Sequence, residues 1–401
     1  MGYLNNVKKQ YWISFFHSLI PAYVIERLFW QQRGMNVQMV VYTEIIYALT
    51  VTAFEIPSGI LADKFGRKRM ISAYNALAVT ELILLLFAHD FWQFAIAIFL
   101  SGMGKALSSG SENALLYDSL LSGNKQGDFE KHLGRLSAVD FTGSMIAALS
   151  GGVLANFFHL EFNYVLSVVS MCIALSLTLS LKEPPMLTKP ETEVFGAMQY
   201  TKHALKIYKA QPLVLVYCLT GAVLGACMIY LDEFWQIILE NIGISVIFFG
   251  VFSSLSFILR IPGNLFAYKL KEKFSYKHIL TCTIGISIAG YAAVFLVRDW
   301  LCLVPMMLLS VVASIVDPLV TGYLHHHTES HIRATVESFS SLGLRIVSVG
   351  VGLLFGYISS RYSIFAGFLT LSTICFGYFV LFRIMGGRYF QFNKITDRDN
   401  G

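Results

Sequence analysis

The chain has 401 residues, of which 55% are hydrophobic and only 14% are charged. A water-soluble domain carries about 25% charged residues, because water must wet its surface. This composition excludes a soluble globular protein and favours a membrane protein. The net charge of +5 does not require a nucleic acid partner.

Twelve apolar stretches are each long enough to cross a hydrocarbon core about 30 Å thick as an α-helix. They cover approximately residues 11–29, 38–62, 69–88, 92–117, 137–158, 163–181, 213–238, 245–268, 278–297, 300–323, 338–359 and 363–384. The predicted fold class is therefore all-α. We expect a polytopic membrane protein with twelve transmembrane helices in two pseudo-symmetric halves of six helices.

The longest polar interval runs from Lys182 to Gln211 and divides the stretches into six and six. It begins with Glu183-Pro184-Pro185, and proline ends a helix because it lacks an N–H donor. Apolar residues then recur at helical spacing opposite lysines, which predicts an amphipathic helix on the membrane surface; a solvated linker is the alternative. The predicted domains are an N-terminal six-helix bundle at 1–182, a cytoplasmic linker at 183–211, and a C-terminal six-helix bundle with a cytoplasmic tail at 212–401.

Lysine and arginine residues are distributed unevenly between alternate loops. If the N-terminus is cytoplasmic, 23 of the 30 basic residues fall on the cytoplasmic side, and only Arg27, Arg33, Arg298 and Arg361 fall outside. Short loops rich in basic residues stay in the cytoplasm. We therefore expect a multi-pass protein of the inner (cytoplasmic) membrane with both termini in the cytoplasm.

A dense charged turn separates the second and third apolar stretches. Residues 59–69 read GILADKFGRKR. This resembles G-x-L-A-D-x-x-G-R-[RK], the signature loop of the major facilitator superfamily of secondary transporters, and the resemblance covers residues 11–386. It implies that the loop acts as a conformational latch, with glycines for close approach and a tight turn. The residues of the implied latch are Gly59, Asp63, Gly66, Arg67 and Asp118, and the resemblance implies that Arg67 pairs with Asp118. The alternative is that the basic residues only anchor the topology.

The two halves of the chain resemble each other near this loop. Residues 55–64 read EIPSGILADK and residues 260–269 read RIPGNLFAYK. In the second copy Tyr268 replaces Asp63 and no Gly-Arg pair follows, so we expect the first copy to do more than turn the chain. Transporters built from such repeats bind their substrate where the repeats meet.

Ionisable residues inside the apolar stretches are candidates for function, because each costs roughly 2.5–3.5 kcal/mol on insertion scales. The proton-coupling candidates are Glu112, Asp140, Asp317 and Glu55. A carboxylate in a membrane cavity can take up and release a proton as its surroundings change.

The residue pattern also allows structural roles for these acids. Glu112 lies seven residues after Lys105, on one face of a continuous helix, so the two can pair. Asp140 can bind a hydroxyl group or a helix end. The interhelical ion pairs that we expect are Asp317 with Arg345 and Glu55 with Arg260.

Aromatic and basic side chains in the apolar stretches are candidates for lining a substrate cavity, because aromatic rings suit hydrophobic or cationic ligands. The candidates are His17, Tyr23, Tyr47, Lys105, Tyr230, Trp235, Arg260 and Arg345. Tyrosine and tryptophan near helix ends also anchor helices at the membrane surface, and a histidine on an apolar face is often a packing residue. Both interpretations stay open.

Two further stretches resemble efflux members of the superfamily. Residues 143–152 read GSMIAALSGG and are similar to the glycine-rich motif that antiporters carry in the fifth helix, without its central Gly-Pro. Residues 333–341 read RATVESFSS and resemble a stretch before the eleventh helix of bacterial drug-efflux-like members.

These features predict proton-coupled export of small amphipathic compounds by alternating access. An uptake permease for a polar metabolite and a lipid flippase of the same fold are the alternatives. The sequence has no phosphate-binding loop or nucleophile elbow, and histidines 325–327 have no carboxylate or cysteine in a coordinating pattern, so we expect no enzyme activity, cofactor or metal. The expected partners are a small-molecule substrate, protons and the lipid bilayer, without nucleic acid, for a monomeric protein.

Overall fold

The computed structural model describes residues 3–184, 212–326 and 333–399, and within these ranges the chain is helical without a strand. Residues 185–211, with the predicted amphipathic helix, lie outside the described residues, and so do the side chains of histidines 325–327. The α-helices are α1 Leu4–Ser18, α2 Glu26–Gln32, α3 Val37–Phe65, α4 Arg67–Phe87, α5 Phe91–Ser108, α6 Ser111–Leu121, α7 Phe129–Phe157, α8 Leu160–Leu179, α9 Pro212–Asn241, α10 Phe249–Lys273, α11 Tyr276–Leu296, α12 Leu303–His326, α13 Arg333–Arg361 and α14 Ile364–Asp399.

Eleven helical stretches in the described part of the chain are long and apolar enough to cross a membrane. They correspond to the second to twelfth apolar stretches of the sequence. The predicted all-α polytopic architecture is confirmed, with eleven spanning helices identified by length and composition rather than twelve.

The described residues form two compact units. The first unit comprises 1–191 together with Leu239–Ser254, and the second comprises 192–238 together with 255–401, in both cases as far as the structure describes them. The sequence analysis assigned 239–254 to the C-terminal bundle. In the structure this segment lies against α7. The close approach requires Gly250, because a Cβ atom there would clash with the carbonyl oxygen of Ala148.

The first apolar stretch, 11–29, is not one continuous helix. α1 ends at Ser18, a short 3₁₀ turn follows at Pro21–Val24, and α2 begins at Glu26. Pro21 occupies the first position of the turn, where its missing N–H costs no hydrogen bond. The prediction of an uninterrupted first helix is wrong, since apolar composition indicates the length of a stretch and not the position of a break.

Polar side chains of α8 supply hydrogen bonds to the backbone at this break. The Ser170 hydroxyl group donates to the carbonyl oxygen of Phe16 at 2.7 Å, and the Ser167 hydroxyl oxygen accepts from the amide of Ala22 at 3.1 Å. The Asn163 amide donates to a carbonyl oxygen of the turn at 3.4 Å. A broken helix is tolerated in a membrane only when its freed backbone groups find such partners. The polar face of α8 therefore stabilises the break.

The glycine-rich stretch of α7 packs against the same turn. A Cβ atom on Gly151 would lie 2.5 Å from the carbonyl oxygen of Pro21 and 2.7 Å from Cγ1 of Val24. We expect Gly151→Ala to lower the free energy of unfolding by about 1–3 kcal/mol, because the added methyl group overpacks the contact. Thermal unfolding of the purified protein in detergent measures this loss.

Gly134→Ala is the matched control for that substitution. Gly134 lies on the same helix, and a Cβ atom there would meet nothing within 4 Å. The control should be neutral or more stable by up to about 1 kcal/mol, since alanine favours a helix more than glycine does. Equal effects of the two substitutions would contradict the close contact between α7 and the turn.

The fourth apolar stretch is also interrupted. α5 ends at Ser108 and α6 begins at Ser111, and between them Gly110 adopts φ +77°, in the left-handed region that favours glycine. Lys105 and Glu112 therefore do not share one face of a continuous helix, and the spacing argument for their proximity is wrong. The break instead places them at two different helix ends.

The second unit is held by aromatic packing and buried hydrogen bonds. α11 lies between α12 and α14, and α13 packs against α14. Phe355 on α13 has its ring centroid 5.4 Å from that of Phe368 on α14, in an edge-on arrangement. The buried Tyr378 hydroxyl group lies 2.7 Å from the hydroxyl group of Thr220 on α9. These contacts join α9, α13 and α14.

Candidate functional site

The signature loop forms a tight turn between α3 and α4 that depends on Gly66. Gly66 adopts φ +92°, and a Cβ atom there would lie 2.8 Å from the carboxyl carbon of Glu183. The two carboxylate oxygens of Glu183 accept hydrogen bonds from the amides of Arg67 and Lys68, both at 2.9 Å. A carboxylate is stabilised at a helix N-terminus by the free amides and the helix dipole. Glu183 thus caps α4 from the segment that follows α8.

The Arg67 side chain connects α4 to α6. Its guanidinium group pairs with the carboxylate of Asp118 and donates a hydrogen bond to the carbonyl oxygen of Ala114 at 2.8 Å. The Asp118 side chain is 9% exposed and that of Arg67 is 21% exposed, so this ion pair is largely shielded from water. The pair expected from the family resemblance is thus present within the first unit.

Asn6 on α1 extends this connection. Its side-chain amide donates to the hydroxyl oxygen of Ser119 at 3.1 Å and to the carbonyl oxygen of Lys182 at 2.8 Å. The loop, α1, α6 and the segment after α8 are therefore tied together by polar contacts. We call Gly66, Arg67, Asp118 and Glu183 the loop clamp.

The sequence analysis treated Glu183 only as part of a helix stop. The sequence did indicate that an acidic cap must come from elsewhere in the chain. The helix α4 begins with three basic residues and has no acidic residue in its first turn to stabilise its N-terminus. Of the other predicted latch residues, Asp63 has its side chain outside the described residues. Among the described residues Gly59 makes no close approach, since a Cβ atom there would meet none of their atoms within 4 Å.

Four ionisable side chains of the first unit interact electrostatically, and we call them the charged cluster: His17, Lys105, Glu112 and Asp140. His17 interacts electrostatically with Asp140 and Lys105, and Glu112 interacts with Lys105 and Asp140. His17 lies in the last turn of α1, Lys105 in the last turn of α5 and Glu112 in the first turn of α6. Lys105 and Glu112 therefore each lie at the helix end whose dipole favours their charge, whereas Asp140 lies inside α7.

The cluster contains both partnered and unpartnered polar atoms. The Ser18 hydroxyl group donates a hydrogen bond to Asp140, which is the hydroxyl partner that the sequence analysis gave as the structural alternative. The His17 ring centroid lies 5.0 Å from that of Tyr74. The buried Nε2 atom of His17 has no hydrogen-bond partner among the described residues. The cluster therefore has one buried ring nitrogen that is open to a hydrogen bond from a polar ligand.

The accessible surface of the cluster indicates its shape. The side chains of Lys105, Glu112 and Asp140 are exposed. Many protein atoms nevertheless lie near Glu112 and His17. Side chains that are exposed and yet have many protein atoms near them line a concave surface rather than a closed core. We therefore place these groups on a concave part of the first unit.

The remaining cavity candidates differ in exposure. Tyr23 is 52% exposed, and it interacts electrostatically with Tyr47, which is half-buried. Tyr230 is 2% exposed and its hydroxyl group donates to the carbonyl oxygen of Ser348 at 2.8 Å. Tyr230 is thus a packing residue between α9 and α13 in this structure, and Trp235 is half-buried one turn later on α9.

The expected interhelical ion pairs are replaced by a different one. Arg260 on α10 pairs with Asp232 on α9, whereas Glu55 was the expected partner. Asp317 and Arg345, both in described parts of the chain, do not form the expected pair; Asp317 is exposed and Arg345 half-buried. The sequence analysis passed over Asp232, because no spacing in the sequence relates two charges on different helices.

Comparison with known proteins gives one family over most of the chain. The model of the family described as Major Facilitator Superfamily matches residues 11–239 and 233–389. The uncharacterized MFS-type transporter YxaM of Bacillus subtilis is 21% identical over 351 residues, covering 86% of this chain and 85% of that protein. The multidrug resistance protein MdtG of Citrobacter koseri is 25% identical over 338 residues, covering 82% of this chain and 80% of that protein.

Solved structures give the same fold. The nucleoside transporter NupG superposes with a TM-score of 0.75 at 13% identity, covering 96% of this chain and 99% of that chain. A bacterial homologue of the human lysosomal transporter Spinster, in an inward-facing conformation, superposes with a TM-score of 0.71 at 16% identity, covering 97% and 96%. At these identities the likeness concerns the fold alone.

Proposed function

Because the chain belongs to the Major Facilitator Superfamily, we propose that it is a proton-coupled secondary transporter that exports small amphipathic compounds by alternating access. Membership makes the chain a multi-pass membrane transporter rather than an enzyme. We propose further that transport is outward, across the inner membrane of a bacterial cell.

The charged cluster is the observation that carries the proton coupling. Glu112 lies within electrostatic range of a second acid, Asp140, and of one base, Lys105. Two carboxylates and one ammonium group leave an excess negative charge that a proton neutralises. Glu112 is the proposed proton carrier. Asp140 already accepts a hydrogen bond from Ser18, so it is the second candidate for the proton carrier in the cluster.

The direction and the substrate class rest on a different kind of support. Relatives of this chain carry the name multidrug resistance protein. The exposed ring of Tyr23 and the half-buried ring of Tyr47 provide apolar surface in the first unit. An amphipathic compound fits apolar rings next to a few charged groups. Asp317 and Glu55 stay as secondary candidates for proton binding.

The loop clamp is proposed to stabilise one of the two conformations of the transport cycle. A ligand or contact shifts such an equilibrium only by its differential interaction with the two states. The Arg67–Asp118 pair and the Glu183 cap supply interactions that a rearrangement of the loop would break. Asp63 is assigned to the same latch by the family resemblance.

We expect reporter fusions and cysteine labelling to place both termini and the loop at 64–69 in the cytoplasm. The reason is the uneven distribution of basic residues between alternate loops. Labelling of residues 269–277 by a membrane-impermeant reagent added outside intact cells would contradict this topology. A label on the loop around Arg298 is the control that should react from outside.

Transport by the purified protein in liposomes tests the proposed function. Vesicles with an imposed pH gradient of either sign would be given a panel of amphipathic dyes and polar metabolites. The proposal expects a dye to move against its gradient when protons move in the opposite direction. Movement unaffected by the pH gradient, or movement of labelled phospholipid in its place, would overturn it.

Uptake of a polar metabolite is the second candidate function. It is favoured by the mixed charges of the cluster and by the unpartnered Nε2 atom of His17, which suit a ligand with several hydrogen-bonding groups. The same vesicles separate the candidates, because an uptake carrier coupled to protons accumulates its substrate on the side to which protons flow.

A further inference from the structure

Glu81 is a buried carboxyl group to which the proposed function gives no role. It lies two-thirds of the way along α4, and 7% of its surface is exposed. Its side chain forms a hydrogen bond with Ser101 on α5. An acid at this depth costs roughly 2.5–3.5 kcal/mol on insertion scales, so a polar partner or a proton has to compensate it.

The charges around Glu81 do not compensate it. Arg27 lies 2.7 Å from Glu44 and 3.7 Å from Glu26, and Glu26 interacts electrostatically with Glu81. Arg27 is 5% exposed, so its guanidinium group shares the apolar surroundings of these acids. The side chains that act on Glu81 are Ser101 and Glu26, and neither of them is a base. The guanidinium group of Arg27 makes its short contact with Glu44.

The other titratable groups on the surrounding elements are neutral or engaged elsewhere. Lys105, one turn after Ser101 on α5, interacts with His17 and Glu112 of the charged cluster. The remaining groups are tyrosines from the 3₁₀ turn, α3, α4 and α8, namely Tyr23, Tyr47, Tyr74 and Tyr164. A tyrosine hydroxyl group is neutral over the physiological range, so none of these neutralises a carboxylate.

We propose that Glu81 is a second proton-binding carboxyl group of the first unit, distinct from the charged cluster. In the loaded state its carboxylate takes one proton from water and becomes a carboxylic acid bonded to Ser101; in the unloaded state it returns that proton. The inference rests on the proposed proton coupling and adds a second acid to it.

Tyr74 places Glu81 in relation to the cluster. Tyr74 and Glu81 are seven residues apart on α4, so they share one face of the helix and lie about 10 Å apart along its axis. Tyr74 interacts electrostatically with both Glu81 and Glu112. The Tyr74 ring packs closely against α5 at Gly104, where a Cβ atom would lie 3.1 Å from the ring. Tyr74 thus lies within electrostatic range of both acids.

Infrared difference spectra of the purified protein, recorded as the pH is changed in the absence of substrate, test the proposal. A protonated carboxyl group has a carbonyl stretching band separate from that of a carboxylate. We expect one such band to be lost in Glu81→Gln, shifted in Ser101→Ala, and retained in Glu161→Gln. Glu161 is the control, since its side chain is 46% exposed and is paired with Arg33 at 2.8 Å. Spectra in which Glu81→Gln and Glu161→Gln both match the native protein would overturn the proposal.

The spectra separate this inference from the proposed function. If native protein shows no proton-driven transport but the band is lost in Glu81→Gln, proton binding at Glu81 stands and the coupling proposal fails. If native transport is proton-driven and the band is unchanged in Glu81→Gln, the coupling stands and the role of Glu81 fails. Glu81→Gln keeps the size and the hydrogen bond of the side chain, and Ser101→Ala tests the same site should the first variant not fold.

Discussion

Glu112→Gln should abolish accumulation of substrate driven by a pH gradient while leaving substrate binding intact. The amide mimics the protonated acid and cannot release a proton, so the substitution uncouples the two fluxes. For one proton per substrate, a gradient of one pH unit supports about tenfold accumulation, since about 1.4 kcal/mol corresponds to a factor of ten. We expect that factor to fall to one in vesicles containing the variant.

The pH dependence of binding provides an independent check. In an exporter that exchanges substrate for protons, protonation of Glu112 opposes substrate binding, so native affinity should rise as the pH rises. This dependence should disappear in Glu112→Gln. The control is Glu161→Gln, an acid of the same unit outside the charged cluster. If Glu112→Gln still accumulates substrate, the role passes to Asp140, Asp317 or Glu55, which the same neutral substitution tests.

Arg67→Ala should shift the conformational equilibrium of the transporter and reduce transport, with expression and substrate affinity little changed. The substitution removes the partner of Asp118, whose side chain is only 9% exposed. Conformational couplings of this kind amount to about 1–3 kcal/mol, or roughly 5–150-fold in population. Distances between one spin label in each unit, measured on a cysteine-free background, report the shift.

Arg69→Ala is the matched control for Arg67→Ala. It removes the same charge from the same loop, but Arg69 is exposed and forms no ion pair among the described residues. Glu183→Gln should act in the same direction as Arg67→Ala with a smaller effect, because a neutral cap stabilises the start of α4 less than a carboxylate does. Identical distance distributions and transport in all three variants would reduce the loop to a topology anchor.

The eleven spanning stretches could be predicted because hydrophobic length alone determines them. The breaks in the first and fourth stretches were missed, because mean hydropathy over a long window does not depend on whether the helix is interrupted at Pro21 or Gly110. These breaks matter for function. They create the helix ends at which His17, Lys105 and Glu112 lie, and a charge at a helix end is less costly than one in the middle of a helix.

Pairings between helices were the least predictable part of the site. The Arg67–Asp118 contact was expected from the family resemblance, whereas Asp232 as the partner of Arg260 was not. Residue spacing determines which side chains share a helix face, but it carries no information on how neighbouring helices are rotated about their axes. The burial of Glu81 against Ser101 likewise depends on the packing of α4 on α5, which requires the structure.

Proton movement driven by substrate alone tests proton coupling most directly. Vesicles containing the purified protein and a trapped pH-sensitive dye start at equal pH on both sides, and an amphipathic substrate identified in the transport panel is added to one side. The account predicts a substrate-dependent pH change inside the vesicles, with protons moving opposite to the substrate, which Glu112→Gln abolishes. Substrate entry into native vesicles without any change in the internal pH would contradict it.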